Sequence, residues 1–308
     1  MNHFTNIWQE DSPLVLDSAM GTELDRRGVC IDLPLWSARA IREAPQVILK
    51  IHEDNILAGA DVITANTFRT DARSFRKAGL TSADARQATL KAVDLARQAI
   101  RSACVQHTVS IAGSMSPLED CYHPERYPDD ETALQEHRQK ARWLAEAGVD
   151  LILIETMNSL REAGAATTAA LETGLPVITS FILNRAGKIF NGDDPFDTFR
   201  TVQSSGIIGL GMNCTHHSIV STLLESYFQQ FDLPLIVYVN SGIFHPDTGW
   251  EDDPGFSAET YEDIAADWYR RGVRMVGGCC GTTPEHIRAV RRAKAKARCE
   301  GESHRTRG

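Results

Sequence analysis

The stretch DLILIETM, residues 150–157, decides the fold class of this chain. Four consecutive apolar residues are followed directly by a carboxylate, Glu155, and the run shows none of the apolar–polar alternation of a half-exposed strand. A short continuous apolar run of this kind is typical of a strand buried on both faces in a parallel sheet. A helical pattern over 131–147, ended by Gly148, precedes it. The stretch therefore predicts a buried parallel strand within a chain of alternating helices and strands.

The same pattern recurs along the chain and predicts eight strands in all, each begun after a turn signal. The other seven are LVLDSA (14–19), DVITANTF (61–68), TVSIAGSM (108–115), PVITSFIL (176–183), GIIGLGMNC (206–214), PLIVYVNSG (234–242) and VRMVGGCC (273–280). Helical patterns lie between them, most clearly at 81–103 and 131–147. Eight strand–helix units predict a single α/β domain, a (β/α)8 TIM barrel, with an open doubly wound sheet as the alternative. We assign residues 1–299 to the barrel and 300–308 to a disordered tail.

Composition excludes several classes of function. The 308 residues carry a net charge of −9, which disfavours nucleic-acid binding, and the basic run at 288–298 is typical of the solvated face of a last helix. No apolar run reaches the roughly 20 residues of a membrane span, and the N-terminal residues show no secretory signal, so we expect a cytoplasmic protein. Seven cysteines, an odd and scattered set, are a poor disulfide framework.

Polar residues follow the predicted strands at the end where barrel enzymes carry their active sites. The candidate substrate-binding residues at these strand ends are Asp17, Thr67, Glu155, Asn213 and Asn240. A single Asn or Thr at a strand end is more often a turn residue. Glu155 differs because a charge that directly follows the apolar run LILI inside a barrel indicates a site residue.

Three cysteines share this predicted rim. Cys214 ends strand six, and Cys279 and Cys280 end strand eight. Three thiolates with an open fourth position describe a catalytic Zn²⁺ site, and the glycines at 277, 278 and 281 would let two adjacent thiols reach one ion. The alternatives are buried apolar cysteines or a phosphate-binding glycine turn, which the bulky thiols disfavour. We interpret His216 and His217 as outer or surface residues that begin a helix capped by Thr215.

The motifs together resemble the homocysteine S-methyltransferase family of zinc-dependent barrels, which includes the first module of cobalamin-dependent methionine synthase. The resemblance covers nearly the whole chain and depends on LDSAMGTEL (16–24), ADVITANTF (60–68), IETM (154–157), GMNCTH (211–216), YVNSG (238–242) and GGCCGTTPEHI (277–287). It implies that Cys214, Cys279 and Cys280 bind Zn²⁺, with the homocysteine thiol in the open position. It also implies that Glu155 receives the substrate ammonium with Asp17 beside it, and that Asn240 approaches the metal when no thiol is bound.

The methyl donor is the open part of this prediction. A chain of this length used by one barrel has no folate or cobalamin module, which favours a small sulfonium donor, S-methylmethionine or S-adenosylmethionine. Ser18 and the segment SMSPLEDCYHPERYPDD (114–130) depart from the S-methylmethionine enzymes, and TANTF (64–68) is closer to methionine synthase. The alternatives are a module that takes methyl from a separate corrinoid protein and a metal-free phosphate-binding isomerase or lyase. Another thiol or a selenol is an alternative acceptor. The loops 117–130 and 243–256 are long enough to cover the site, and Tyr122, Tyr127 and Trp250 could face a sulfonium cation.

Overall fold

The computed structural model describes residues 3–10, 12–245 and 249–305, and its centre is an eight-stranded parallel sheet. The barrel strands are β1 (Leu14–Val15), β2 (Val62–Ala65), β3 (Ser110–Met115), β4 (Leu151–Met157), β5 (Val177–Phe181), β6 (Gly209–His216), β7 (Leu235–Asn240) and β10 (Met275–Gly278). Seven of them lie inside the predicted runs, and β6 continues two residues past its predicted end at Cys214, to His216. A separate antiparallel hairpin, β8 (Gly242–His245) with β9 (Gly249–Asp252), follows β7.

The sheet closes on itself. Its order runs β1-β10-β7-β6-β5-β4-β3-β2, and a parallel bridge between Leu16 and Val62 joins the two outer strands. The Asp61 amide donates to the Val15 carbonyl at 2.8 Å across the same seam. The predicted (β/α)8 barrel is thus confirmed, and the open-sheet alternative is wrong. The division into a barrel over 1–299 and a tail over 300–308 stays a prediction.

Helices alternate with the strands and form the outer layer. They are α1 (His3–Gln9), α2 (Gly21–Arg26), α3 (Ala40–Glu43), α4 (Pro45–Ala58), α5 (Ala72–Lys77), α6 (Ser82–Ala103), α7 (Asp130–Ala147), α8 (Leu160–Leu171), α9 (Pro195–Gln203), α10 (His217–Gln230), α11 (Ala258–Arg271) and α12 (Pro284–Arg305). Two further single turns are 3-10 helices, at Trp36–Arg39 and Pro124–Arg126. Gly148 and Gly272 end α7 and α11 in the left-handed conformation, as expected for glycines that close helices before a strand.

Two apolar layers hold the barrel together. Alternate strand residues such as Leu153 and Ile178 fill the interior, and the opposite faces pack against the helices. The first helix, α1, closes the amino-terminal end of the barrel: Phe4 is fully buried in the interior cluster, and the Arg274 guanidinium donates to the Ile7 and Trp8 carbonyls at 2.9 and 2.7 Å. One end is therefore sealed, and the carboxyl ends of the strands remain as the opening. Within the described ranges, no helix is sufficiently long and apolar to cross a bilayer.

Candidate metal and substrate site

A cavity of about 750 Å³ opens at the carboxyl ends of the barrel strands. This volume falls within the roughly 300–1,000 Å³ usual for small-molecule sites. Its floor carries five of the predicted site residues: Asp17, Glu155, Cys214, Cys279 and Cys280. The convergence predicted from strand ends is thus present for these five.

The three cysteines form a compact group. Their sulfur atoms all lie within 4.8 Å of one another, and the Cys214 and Cys280 sulfurs are 3.9 Å apart. Cys214 has a φ of 51°, in the left-handed region that non-glycine residues rarely adopt, and the β6–β7 register shifts between Asn213 and His216. This irregularity breaks the alternation of β6, which places Cys214 at the cavity directly after the inward-directed Asn213.

The thiols are electrostatically coupled. Hydrogen bonds from the Cys279 and Cys280 thiols hold the pKa of Cys214 well below its usual value, against the effect of burial. The same contacts with Cys214, together with burial, raise the pKa of Cys279 and of Cys280. The Tyr122 hydroxyl lies 3.8 Å from the Cys214 sulfur and adds a further polar contact. One negative charge is thus shared among three sulfurs. A bound cation would displace the protons that remain on Cys279 and Cys280.

The donor set fits a zinc ion. Tetrahedral Zn–S bonds of about 2.3 Å place sulfurs about 3.8 Å apart, close to the 3.9 Å between Cys214 and Cys280. Soft thiolates select Zn²⁺ over Mg²⁺ or Ca²⁺. The Asn240 Oδ1 atom is buried without a hydrogen-bond partner among the described residues, so the site also offers an unused acceptor. Three sulfurs leave a tetrahedral ion one position for an exogenous ligand.

The glycines around the vicinal pair are needed for close packing. A Cβ at Gly277 would lie 2.6 Å from Leu16 Cβ and 3.0 Å from the Asp17 carbonyl, and one at Gly278 would overlap the Thr282 side chain. Gly281 has a φ of 80° and lies against Ser241 and Trp250. The Gly278 and Cys279 amides already donate to the Asp17 and Val239 carbonyls, and the Gly281 amide donates to Thr22 Oγ1, which argues against the phosphate-turn alternative.

Two carboxyl groups lie beside the thiols. Burial raises the pKa of Glu155 to about 7, although its carboxylate accepts a hydrogen bond from the Ser114 hydroxyl. Burial likewise raises the pKa of Asp17 to about 7, against hydrogen bonds from the Thr64 amide and hydroxyl at 2.7 and 3.0 Å. Both groups are destabilised as anions in the free protein, so a cationic ligand that restores their charge would bind favourably.

Asn213 lies behind the cavity wall. Its Oδ1 accepts from the Thr156 amide at 2.9 Å and the Ser180 hydroxyl at 2.7 Å, and its Nδ2 donates to Thr156 Oγ1 at 2.8 Å. Thr156 has a φ of 60°, the second non-glycine residue of this rim in the left-handed region. Asn213 therefore fixes the unusual backbone between Glu155 and Cys214, and its amide groups are already occupied by protein.

Thr67 and Asn240 differ in what their polar atoms do. The Thr67 hydroxyl exchanges hydrogen bonds with the Ser114 backbone, accepting at 2.9 Å and donating at 3.0 Å, and it lies outside the cavity lining. Asn240 also lies outside the lining, but its side chain hydrogen-bonds to Cys214 and helps to lower the pKa of that thiol. The structure thus places Thr67 as a support for β3 and Asn240 as a neighbour of the sulfurs.

Both predicted covering loops reach the cavity. The loop at 117–130 contributes Asp120, Cys121 and Tyr122 to its lining. The loop at 243–256 is largely the β8–β9 hairpin, which contributes Trp250 and Asp252; its residues 246–248 lie outside the described ranges. Tyr127 stacks with Arg161 and does not line the cavity. Residues 242–245 and 249–252 of this second loop pair as antiparallel strands, where the sequence indicated only a long loop.

Several residues of the cavity wall were not predicted from the sequence. Trp36 and Phe68 line the outer cavity and contact each other with ring centroids 5.4 Å apart, and Thr64 holds Asp17. Thr64 interrupts an apolar strand, which could have marked it as polar and inward-facing. It was also wrong to expect Thr215 to cap α10: the His216 side chain accepts from the Ser218 amide, and Thr215 Oγ1 accepts from the Leu183 amide at 2.9 Å.

Comparison with known proteins extends these observations. The family model described as homocysteine S-methyltransferase matches residues 14–294. A homocysteine S-methyltransferase of Bacillus subtilis is 31% identical over 307 residues, covering 94% of this chain and 97% of the relative. The Escherichia coli homocysteine S-methyltransferase is 30% identical over 294 residues, covering 90% and 94%.

A solved structure matches equally broadly. The crystal structure of the homocysteine methyltransferase of Escherichia coli in its metallated form superposes with a TM-score of 0.81 at 28% sequence identity, and the match covers 96% of this chain and 100% of that chain. The matched family model spans both the strand that carries Cys214 and the turn that carries Cys279 and Cys280. With the barrel, the sulfur triad and these similarities together, the chain belongs to the homocysteine S-methyltransferase family.

Proposed function

We propose that this protein transfers a methyl group from a small sulfonium donor to the thiol of homocysteine, giving methionine, with Zn²⁺ held by Cys214, Cys279 and Cys280. The observation that supports it most directly is the placement of three clustered sulfurs and a buried carboxylate, Glu155, in one cavity. The sulfurs, through a metal ion, suit the thiol of an amino acid thiol, and the carboxylate suits its ammonium group. The metallated state of the Escherichia coli relative supports a metal ion here as well.

The chain's own residues bind and orient the acceptor. When bound, zinc lowers the pKa of a coordinated thiol, which has an ordinary value near 8.5, so that it is a thiolate at neutral pH. The Glu155 carboxylate accepts hydrogen bonds from the ammonium group of homocysteine. Asp17 lies beside Glu155 and is held by Thr64. Asn213 and Thr67 fix the strand ends and do not touch the substrate, and Asn240 contacts the sulfur group. The proton of the incoming thiol leaves to solvent, and no side chain is needed as a base.

The cavity wall favours a cationic donor. Its outer part carries three aspartates, Asp25, Asp120 and Asp252, together with the rings of Trp36, Phe68, Tyr122 and Trp250. The two arginines of the lining, Arg26 and Arg69, are engaged with Glu23 and with the Pro117 and Glu119 carbonyls. Each aromatic face stabilises a sulfonium ion by roughly 0.5–2 kcal/mol. The carboxylates add electrostatic attraction. Methyl transfer converts this cation into a neutral thioether, which these groups hold less strongly and release.

A donor screen on the zinc-loaded protein tests the proposal. With homocysteine as acceptor, we expect methionine from S-methylmethionine, from S-adenosylmethionine or from both. Formation from neither, with methyl transfer only from an added methyl-corrinoid protein, would overturn the sulfonium proposal in favour of a two-protein system. Cysteine and selenocysteine as acceptors test the specificity for homocysteine in the same assay.

The fate of the protein's thiols supports the expected location. The six cysteines whose side chains the structure describes are all free, and three of them lie close together in one site. Thiols that must bind a metal and a thiol substrate need a reducing compartment. We therefore propose a cytoplasmic location, which fractionation of the native host would test.

A further inference from the structure

A second group of metal-ligating side chains lies outside the cavity. The Nε2 atoms of His216 and His217 lie 3.0 and 3.4 Å from the same carboxylate oxygen, Oδ2 of Asp253. All three potential ligand atoms lie within 4.8 Å of one another, and none of the three residues lines the cavity. We propose that His216, His217 and Asp253 form a second site for a divalent transition-metal ion of the Zn²⁺ type, distinct from the three-cysteine site.

The spacing and the donor types agree with such an ion. Zinc–nitrogen and zinc–oxygen bonds of about 2.0–2.1 Å place tetrahedral ligands about 3.4 Å apart, and the two observed distances are 3.0 and 3.4 Å. Imidazole and carboxylate together suit Zn²⁺, Ni²⁺ or Cu²⁺, whereas Ca²⁺ and Mg²⁺ take oxygen ligands. The donor set differs from the thiolates of the first site, so the two sites would be separable by their chemistry.

The surroundings leave the group accessible and oriented. The side chains of His216, His217 and Asp253 are 14%, 20% and 25% exposed, which allows water to complete the coordination. His216 Nδ1 lies 2.8 Å from the Ser218 hydroxyl, and this contact directs Nε2 towards Asp253. Metal binding through Nε2 would move the ring proton to Nδ1, and the Ser218 hydroxyl oxygen, 2.8 Å away, would then accept from it, as is common for the second nitrogen of a metal-binding histidine. The other oxygen of Asp253 accepts from the Gly255 amide at 2.8 Å, which leaves Oδ2 for the imidazoles.

The position of the site suggests what the ion does. His216 ends β6 and His217 begins α10, whereas Asp253 directly follows the β8–β9 hairpin. The Asp253 amide donates to the Ser241 carbonyl at 3.2 Å, so this residue marks the base of the hairpin. An ion held by all three side chains would tie the hairpin, which carries Trp250 over the cavity, to the strand that carries Cys214. The ion would thereby hold the β8–β9 hairpin in place over the cavity.

Zinc titration of the holoenzyme tests the proposal. We expect equilibrium dialysis followed by elemental analysis to find two Zn²⁺ per wild-type chain, and one in His217→Ala, in Asp253→Ala and in Cys280→Ser. The double variant Cys280→Ser/His217→Ala should bind neither ion. Because His217→Ala and Asp253→Ala leave the sulfurs intact, their remaining zinc reports that the barrel is folded. The second dissociation constant should rise by at least about tenfold in each.

A histidine of the other loop provides the matched control. His123 is exposed and lies 2.9 Å from Glu125, but no second imidazole is grouped with this pair among the described residues. His123→Ala should keep two Zn²⁺ per chain. Amide exchange at residues 242–245 and 249–252 should slow when the second ion binds to the wild type and stay unchanged in His217→Ala. A wild type that binds one Zn²⁺, or a second equivalent that His217→Ala leaves intact, would overturn the proposal and leave three hydrogen-bonded side chains.

Discussion

Replacement of Glu155 by glutamine should separate acceptor binding from methyl transfer. The side chain is 8% exposed at the cavity floor, and a glutamine has the same shape and can still accept a hydrogen bond from Ser114. Loss of one partner from a buried charge pair costs about 2–4 kcal/mol, which is roughly 30- to 1000-fold in affinity. We therefore expect KM for homocysteine to rise by this factor at pH 8, with kcat reduced much less because the three sulfurs are unchanged.

The pH dependence of homocysteine affinity provides a second quantity to measure. In the proposed complex the ionised carboxylate binds the ammonium group. Because burial raises the pKa of Glu155 to about 7, the binding form should predominate at pH 8 and be lost as the pH falls through 7. At pH 6 about one carboxylate in ten is ionised, so homocysteine affinity should fall by about tenfold between pH 8 and pH 6. Glu155→Gln should lack this part of the slope. Any slope that remains belongs to other groups, including Asp17.

Steady-state kinetics with two acceptors decide between binding and structural roles. The analogue 4-mercaptobutanoate has the homocysteine thiol and carboxylate but no ammonium, so Glu155→Gln should affect it little. A second buried glutamate, Glu162, lies outside the cavity and accepts from the Leu118 amide at 2.7 Å, and Glu162→Gln provides the control for replacement of a buried carboxyl group. Equal losses with both acceptors in Glu155→Gln would refute the assignment, since damage to the site would then explain them.

Three further changes have defined outcomes. Cys280→Ser should remove the zinc of the three-sulfur site and reduce methyl transfer by at least a hundredfold, measured by elemental analysis and methionine formation; retention of both would contradict the metal assignment. Gly277→Ala should destabilise the fold by about 1–3 kcal/mol in urea titrations, because the new Cβ would lie 2.6 Å from Leu16 Cβ and 3.0 Å from the Asp17 carbonyl on the neighbouring strand. His52 is fully buried, its ring nitrogens have no hydrogen-bond partner within the described ranges, and burial lowers its pKa from 6.5 to about 4. The unfolded chain therefore takes up a proton between pH 6.5 and 4 that the folded chain refuses, so stability falls with falling pH, and His52→Leu should gain about 2 kcal/mol on the wild type between pH 7.5 and 5.

The barrel and the sulfur triad could be predicted because each depends on a local pattern. Apolar runs such as residues 150–157 identify buried strands, and the closure of eight parallel strands brings Cys214 and Cys279 to one rim. The details that depend on distant contacts could not be predicted. The hairpin at 242–252 pairs across residues with no strong strand pattern, and Asp253 meets His217 from 36 positions away.

Side-chain function at the rim was also beyond the sequence. Asn213 and Asn240 both follow apolar runs and look equivalent there, yet one is saturated by Thr156 and Ser180 and the other has a buried oxygen without a partner among the described residues. Which neighbour an amide meets depends on the register shifts of β4 and β6, and no local preference encodes such shifts.

The clasp between Asn213 and Thr156 has a consequence for the choice of acceptor. It joins the two bulged strands directly beside Glu155 and Cys214, and both Thr156 and Cys214 have backbones in the left-handed region. In the proposed complex Glu155 receives the ammonium and Cys214 helps to hold the thiol, so the backbone at both ends of the acceptor is fixed by Asn213 and Thr156. We therefore expect the rim to discriminate between acceptors by their length, so an amino acid thiol one methylene shorter than homocysteine should have a higher KM.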